Sequence, residues 1–406
     1  QLGQRPLRPT PRLSGPPRLA RAPSTRLYVN AVGVCIPADQ GLWFDSLYVK
    51  PGDGGRGKLR GMIDVDAVLA ALTLEQKVTL LAGHDNWHTH ELPGVPRLRC
   101  SDGPAGVRGT SWTGPASASF PCGTALGATF DPALVEDVGR ALGREARSKG
   151  AHLLLAPTVN LHRTPIGGRN FECMSEDPEL TATIATAYVR GVQAERVACC
   201  IKHFVANDTE FERHTISSEV DAVTLREAYL VPFERAVAPV AEGGANVRSL
   251  MSSYNRINGT HASEHPELLR RVLREDWGFD GAVVSDWFGT HTAAESLEAS
   301  LDLEMPGPPR ARGAALPAVQ EGRTTEARVD ESVRRLLQLM NWAGVGDGDG
   351  SEGTEDSPQT RAVIRRAAIA ATVLLKNDGV LPLAADATIA LLGPNSDRGQ
   401  VQGGGS

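Results

Sequence analysis

The chain contains no stretch approaching the roughly 20 consecutive apolar residues that cross a bilayer, and it contains no Cys-x-x-Cys pair. The first absence argues against a spanning helix, the second against the usual structural zinc ligations. Charge of one sign is also missing: 42 Lys and Arg stand against 48 Asp and Glu, a net charge of -6. Neither nucleic acid nor an anionic membrane is therefore an expected partner. There is no Gly-rich loop closing in Lys-Ser/Thr and no dinucleotide fingerprint followed by the right acid, so no nucleotide cofactor is expected. His84, His88 and His90 lie together without clustered carboxylates, and no metal is expected either. Aromatic residues make up only 5% of the chain, so an indole or phenol beside a polar motif carries more information than usual. The cysteines Cys35, Cys100, Cys122, Cys173, Cys199 and Cys200 are scattered. Cys199 and Cys200 sit inside an apolar run, where buried free thiols are expected. A reduced, cytoplasmic setting fits this usage, with secretion the alternative.

What is present is an alternation. Residues 1–61 are rich in Pro, Arg and Gly and hold no sustained period. They are expected to be a disordered extension, with a natural start at Met62. From residue 62 the texture changes. Asp64 opens a helical run, and Thr73 with Gln76 forms a capping-box pattern. Short apolar runs then follow at 151–157, 197–201, 249–254, 281–285 and 301–305, separated by helical stretches near 131–149, 177–194, 222–241, 264–276, 290–299 and 325–343. Asp131-Pro132 and Asp177-Pro178 place a cap and an N1 proline at two of these starts. Apolar runs and helices at this spacing predict βαβ units on a parallel sheet. The 62–343 segment has the size of one (β/α)8 TIM-like barrel. Residues 344–360 read as a linker with nothing to bury. Residues 361–406 read as the beginning of an α/β sandwich domain: a helix at 361–375, a turn at Asn377-Asp378-Gly379 and a buried strand at 387–392.

The polar residues fall where strands are expected to end, which in a β/α barrel is the face that does chemistry. Gly281-Ala282-Val283-Val284 is a buried-strand signal that ends in Ser285-Asp286-Trp287. A lone Asp after a strand more often caps the next helix, but four other strand ends supply it with company. Asp102 and Arg108 stand in Ser101-Asp102-Gly103-Pro104-Ala105-Gly106-Val107-Arg108, alone a surface turn. Arg169 stands after a glycine pair, in Gly167-Gly168-Arg169-Asn170-Phe171-Glu172. Lys202 and His203 end an apolar strand, with Glu210 and Arg213 following, and Tyr254 leaves another. An unpaired ammonium at Lys202 would be expensive to bury, so it requires a carboxylate partner or a function. Two acids, several bases and the rings of Trp287 and Tyr254 make a mixture suited to neutral polyols: charged groups bond hydroxyls and an indole covers the apolar face of a ring.

Taken together, the stretches 101–109, 120–129, 157–178, 202–213, 251–261, 284–289 and 301–307 resemble glycoside hydrolase family 3, the β-glucosidase family, in its fungal, intracellular-like form. The resemblance runs from about Met62 to the C-terminus. It implies that Asp286 is the nucleophile of a retaining, exo-acting hydrolase that forms a covalent glycosyl-enzyme. It further implies a glycone subsite of Asp102, Arg108, Arg169, Lys202, His203, Arg213 and Tyr254, with Trp287 as a wall and the cations keeping Asp286 ionised. The N-acetylglucosaminidase branch continues its Lys-His motif into Pro-Gly-His-Gly. Here the sequence is Phe204-Val205-Ala206-Asn207, which disfavours that branch. In the glucosidase branch the acid/base is a Glu from the second domain, so no acid/base is assigned within these 406 residues. Terminal β-D-glucosyl residues are the expected substrate, with xylose, galactose or arabinose as alternatives. A sugar-binding fragment without turnover and, in another class, a Schiff-base aldolase using Lys202 are the rival readings. A homo-oligomer is compatible with the sequence.

Overall fold

The computed structural model describes residues 62–111, 113–346 and 350–397; the extension expected over 1–61 lies outside them. A five-stranded parallel sheet is formed by Cys100–Asp102, Leu153–Leu155, Ala198–Phe204, Ser249–Ser252 and Ala282–Ser285, adjacent in that order. Isolated bridges carry the ladder onward. Val284 pairs in parallel with Leu303, Glu304 with Ala82, and then Gly83 with Thr89 and His88 with Arg99, both antiparallel. The hydrogen bonds Glu304 N to Leu81 O at 2.9 Å and Cys100 N to Trp87 O at 2.7 Å close the ring. The fold is thus the expected α/β barrel, with one departure. The short stave at His88 and Thr89 runs against its neighbours, because only a few residues join it to Gly83 and a parallel return needs a crossover of a dozen or more.

The helices between the strands follow the predicted caps. Asp131 and Asp177 accept from the first-turn amides of Pro132–Ser148 and Pro178–Ala194, each with proline at its start. Thr73 and Gln76 form the reciprocal capping box. Strand residues alternate between two cores: Leu154, Cys199, Ile201, Leu250 and Val283 face the layer under these helices, while Leu153, Leu155, Cys200, Met251, Ala282 and Val284 face the other. The Glu326–Ala343 helix closes the barrel, and its Asn341 exchanges two 2.8 Å bonds with the backbone of Ile63.

Two expectations fail after residue 343. The stretch read as a linker is strapped to the barrel: Gly353 N donates to Ser148 O, Arg99 to Gly350 O, and the Glu352 side chain is 13% exposed. A sequence of Gly, Ser and Glu reads as solvated, but its backbone and one carboxylate have found partners. The expected strand at 387–392 is absent, and Ile389, Leu391 and Leu392 are 56%, 66% and 91% exposed. A strand exists only against a neighbour that takes its hydrogen bonds, and none pairs with it among the described residues. The preceding helix does form, over Pro358–Ala370, and seats Ala367 in the core.

Candidate active site

The Ala282–Ser285 strand fixes Asp286. Its ladder continues one residue further, Asp286 N donating to Ser252 O at 3.1 Å, and Gly289 N then donates to Asp286 O at 2.8 Å to turn the chain. The side chain is held at the C-terminal rim of the sheet. Oδ1 accepts the Trp287 amide at 2.7 Å. Oδ2 is buried, makes no hydrogen bond, and lies 3.5 Å from His203 Nε2. One carboxylate oxygen is anchored and the other is left for something else. Burial pushes the Asp286 carboxyl above the usual carboxylate range; Arg169, Lys202, the Trp287 amide and the Tyr254 hydroxyl pull it down without cancelling that effect. The sequence reasoning named the cations and missed that burial outweighs them.

Lys202 and His203 are consecutive, and in a regular strand they would point to opposite faces. The ladder to Ser249–Ser252 shifts register between Ile201 and Phe204, and the irregularity lets both line the same cavity. Lys202 Nζ donates to Asp102 Oδ1 at 2.9 Å; this is the carboxylate partner that its burial demanded. Asn160 clamps His203: Nδ2 donates to its carbonyl at 2.9 Å, and Oδ1 faces both its amide and Nδ1 at 3.0 Å. With Oδ1 accepting, Nδ1 carries the proton and Nε2 presents a lone pair toward Asp286. Burial, then Arg169, Lys202 and Arg213, hold His203 well below its ordinary value, so it is neutral. A lone pair and a carboxylate oxygen 3.5 Å apart suit a hydroxyl donor placed between them.

The other walls come from loops. Arg169 grips Glu172 through two parallel bonds of 3.0 Å. Burial opposes its charge, but Glu172, Asp286 and Glu210 outweigh burial and hold the guanidinium well above its usual value. Arg213 binds Glu210 Oε2 at 2.5 Å and lies over the Tyr254 ring, 4.7 Å from its centroid. Burial, with the Asp286 charge beside it, raises the Tyr254 phenol, which stays protonated as a donor. Trp287 donates Nε1 to Asn86 O at 3.1 Å and meets Trp87 with ring centroids 5.8 Å apart.

These groups surround one cavity of about 320 Å³. It is lined by Asp286, Asp102, Arg169, Lys202, His203, Arg213, Tyr254 and Trp287, all expected, and by Trp87, Phe171, Glu172, Leu155 and Met251, which were not. Arg108 is outside the lining. It sits at the end of the Asp102 loop, where burial draws its guanidinium below the usual value and Asp102 opposes. Glu172 was legible as the acid three residues after Arg169; Trp87 left no signal, since its place depends on the reversed stave. The described residues hold no group of three or more His, Cys, Asp or Glu that could hold a metal. The cysteines among them are free, with Cys199 and Cys200 fully buried.

The fold and the cavity define a β/α barrel whose strand-end carboxylate, cations and indoles converge on one pocket. Residues 82–339 match the model of the glycosyl hydrolase family 3 N terminal domain. The chain belongs to that family. It is 53% identical over 351 residues to a beta-glucosidase of Rhizobium radiobacter, covering 84% of this chain and 42% of that protein. It is 47% identical over 360 residues to probable beta-glucosidase J of Aspergillus fumigatus, covering 85% and 41%. Among solved structures it resembles the beta-glucosidase of Kluyveromyces marxianus in complex with glucose, with TM-score 0.75 and 39% identity over 79% of this chain and 40% of that one. Beta-glucosidase 3B of Thermotoga neapolitana in complex with glucose gives 0.73 and 36%, over 79% and 48%. The chain spans about two fifths of the length of the curated relatives it matches.

Proposed function

We propose that this chain carries the glycone pocket and the nucleophile of a retaining, exo-acting β-glucosidase that removes terminal non-reducing β-D-glucosyl residues. The observation that carries the reading is Asp286: a strand-end carboxylate with one oxygen anchored on the Trp287 amide and the other unbonded, facing the cavity's cations. The unbonded oxygen attacks the anomeric carbon, the C1–O bond to the aglycone breaks, and a glycosyl ester forms on Asp286 until water cleaves it. Asp102, Lys202, His203 and Arg169 hold the ring hydroxyls, and Trp287 with Trp87 covers its apolar face. Glu172 is committed to Arg169 by two bonds and is not assigned as acid/base. The names of the relatives support glucose as the glycone. The Schiff-base alternative is disfavoured by the 2.9 Å Lys202–Asp102 pair, because an ion-paired ammonium has no lone pair to attack with. The 387–392 segment and residues beyond it are assigned to an α/β sandwich domain.

The test is incubation with 2-deoxy-2-fluoro-β-glucosyl fluoride, whose leaving group needs little protonation, followed by intact mass and peptide mapping. One adduct on Asp286 is expected. No adduct on a chain shown to be folded by circular dichroism, with labelling by the xylosyl reagent instead, would move the reading to a β-xylosidase. No adduct with either reagent would leave a sugar-binding fragment.

A further inference from the structure

The segment 350–354 crosses the barrel beside the loop that carries Asp102 and Arg108, and it is built into that loop. Glu352 accepts the Thr110 amide at 2.9 Å and the Thr110 hydroxyl through the same Oε1, with Arg99 Nη1 at 3.7 Å. The fit is close: Gly109 has φ +73°, and a Cβ there would lie 2.5 Å from the Glu352 carboxylate. Upstream, Arg108 N donates to Asp102 O and Gly109 N to Ser101 Oγ, both at 3.0 Å. The loop is thus closed on itself at its root and anchored at its exit by a carboxylate 242 residues away.

Arg99 extends the anchor. Its Nη2 donates to Gly350 O at 2.7 Å, its Nη1 to Lys149 O at 2.8 Å, and its Nε to His88 Nε2 at 3.2 Å. His88 is held by Asp85, whose Oδ1 also caps the Trp87 and His88 amides at 2.7 and 2.8 Å. Lys149, fully buried, ties Gly353 O at 3.1 Å to Pro115 O and Ala116 O at 3.0 and 3.2 Å. One hub therefore joins the Asp102 loop, the Trp87 loop and the strap.

We propose that Glu352, with Arg99, is a positioning residue for the glycone pocket, holding the Asp102–Arg108 loop and the Trp87 loop in register without touching the sugar. The inference rests on the glycosidase reading of that pocket. Because Glu352 acts on the groups that grip hydroxyls and leaves Asp286 alone, its loss weakens binding and spares the covalent step.

The experiment compares wild type, Glu352→Ala and Glu352→Gln by the kinetics of inactivation with 2-deoxy-2-fluoro-β-glucosyl fluoride, alongside amide hydrogen exchange. Glu352→Ala is expected to raise the inactivator's half-saturation concentration about ten-fold, the loss of one charge-assisted hydrogen bond, with the limiting rate changed less than about two-fold. Glu352→Gln, which keeps an acceptor for the Thr110 amide, is expected to recover most of the binding. Exchange is expected to quicken in residues 101–110 and 84–88 and to stay unchanged in the Pro132–Ser148 helix. An unchanged half-saturation concentration overturns the proposal, as does exchange that quickens throughout the chain, which would make Glu352 merely structural. If wild type takes no label, the functional reading fails by itself, and the exchange pattern alone then decides whether the strap orders the two loops.

Discussion

Replacing Lys202 with methionine removes one half of a buried ion pair and keeps the stem. Lys202 is 3% exposed and Asp102 18% at the side chain, with 2.9 Å between Nζ and Oδ1. Breaking such a pair from one side costs about 3–5 kcal/mol, because the remaining charge stays buried. The lower end applies here, since Asp102 is part-exposed and Oδ1 keeps the Gly103 amide at 2.9 Å. About 3 kcal/mol is a change of about 150-fold in the folding equilibrium. Urea unfolding followed by tryptophan fluorescence reads it directly. Removing both charges, in Lys202→Met with Asp102→Asn, is expected to cost less than Lys202→Met alone, because no lone carboxylate is then buried. If Lys202→Met costs under about 1 kcal/mol, or the two substitutions add independently, the ion pair is not what sustains the buried ammonium, and the argument from burial to partner is wrong.

Labelling of Asp286 requires its carboxylate, so the rate is full above the Asp286 pKa and lost as pH falls through it. Since burial raises that pKa, the acidic limb of the inactivation profile is expected above the range of a free aspartate, and Arg169→Met, which removes the largest downward pull, is expected to move it higher still. Burial also pushes the Asp208 carboxyl up to about 6 from 3.8, against the Leu161 amide, Arg163 and the Tyr229 hydroxyl. With the folded value raised, this group favours the folded state more as pH falls from about 6 to about 4. Asp208→Asn is expected to stabilise the chain at pH 7 and to flatten that slope, read as melting temperature against pH; an unchanged slope would refute the assignment. A Cβ at Gly123 would lie 1.9 Å from Glu172 O, so Gly123→Ala is expected to cost about 3 kcal/mol by overpacking and to weaken inactivator binding through the Arg169–Glu172 pair. Stability within about 0.5 kcal/mol of wild type would show that the turn yields freely.

The sequence by itself was enough for the barrel and for most of its pocket. Buried parallel strands must be short apolar runs, crossovers must be amphipathic helices, and Asp-Pro starts mark where those helices begin; all three are local patterns. Asp286, Lys202, His203 and Tyr254 were visible because each sits where an apolar run stops. Only the tertiary structure decided the rest. The stave at His88 and Thr89 runs backward and carries Trp87 to Trp287, which no period in 84–90 announces. Lys202 and His203 share a cavity because a register shift breaks the alternation that a regular strand would impose. Cations near Asp286 were readable as neighbours, but the degree of burial that outweighs them belongs to the closed barrel. Glu352 read as a solvated linker residue until its carboxylate met Thr110 across 242 positions. Sequence carries what one segment needs of its surroundings, while the identity of the group that meets the need is settled only when distant segments close on each other.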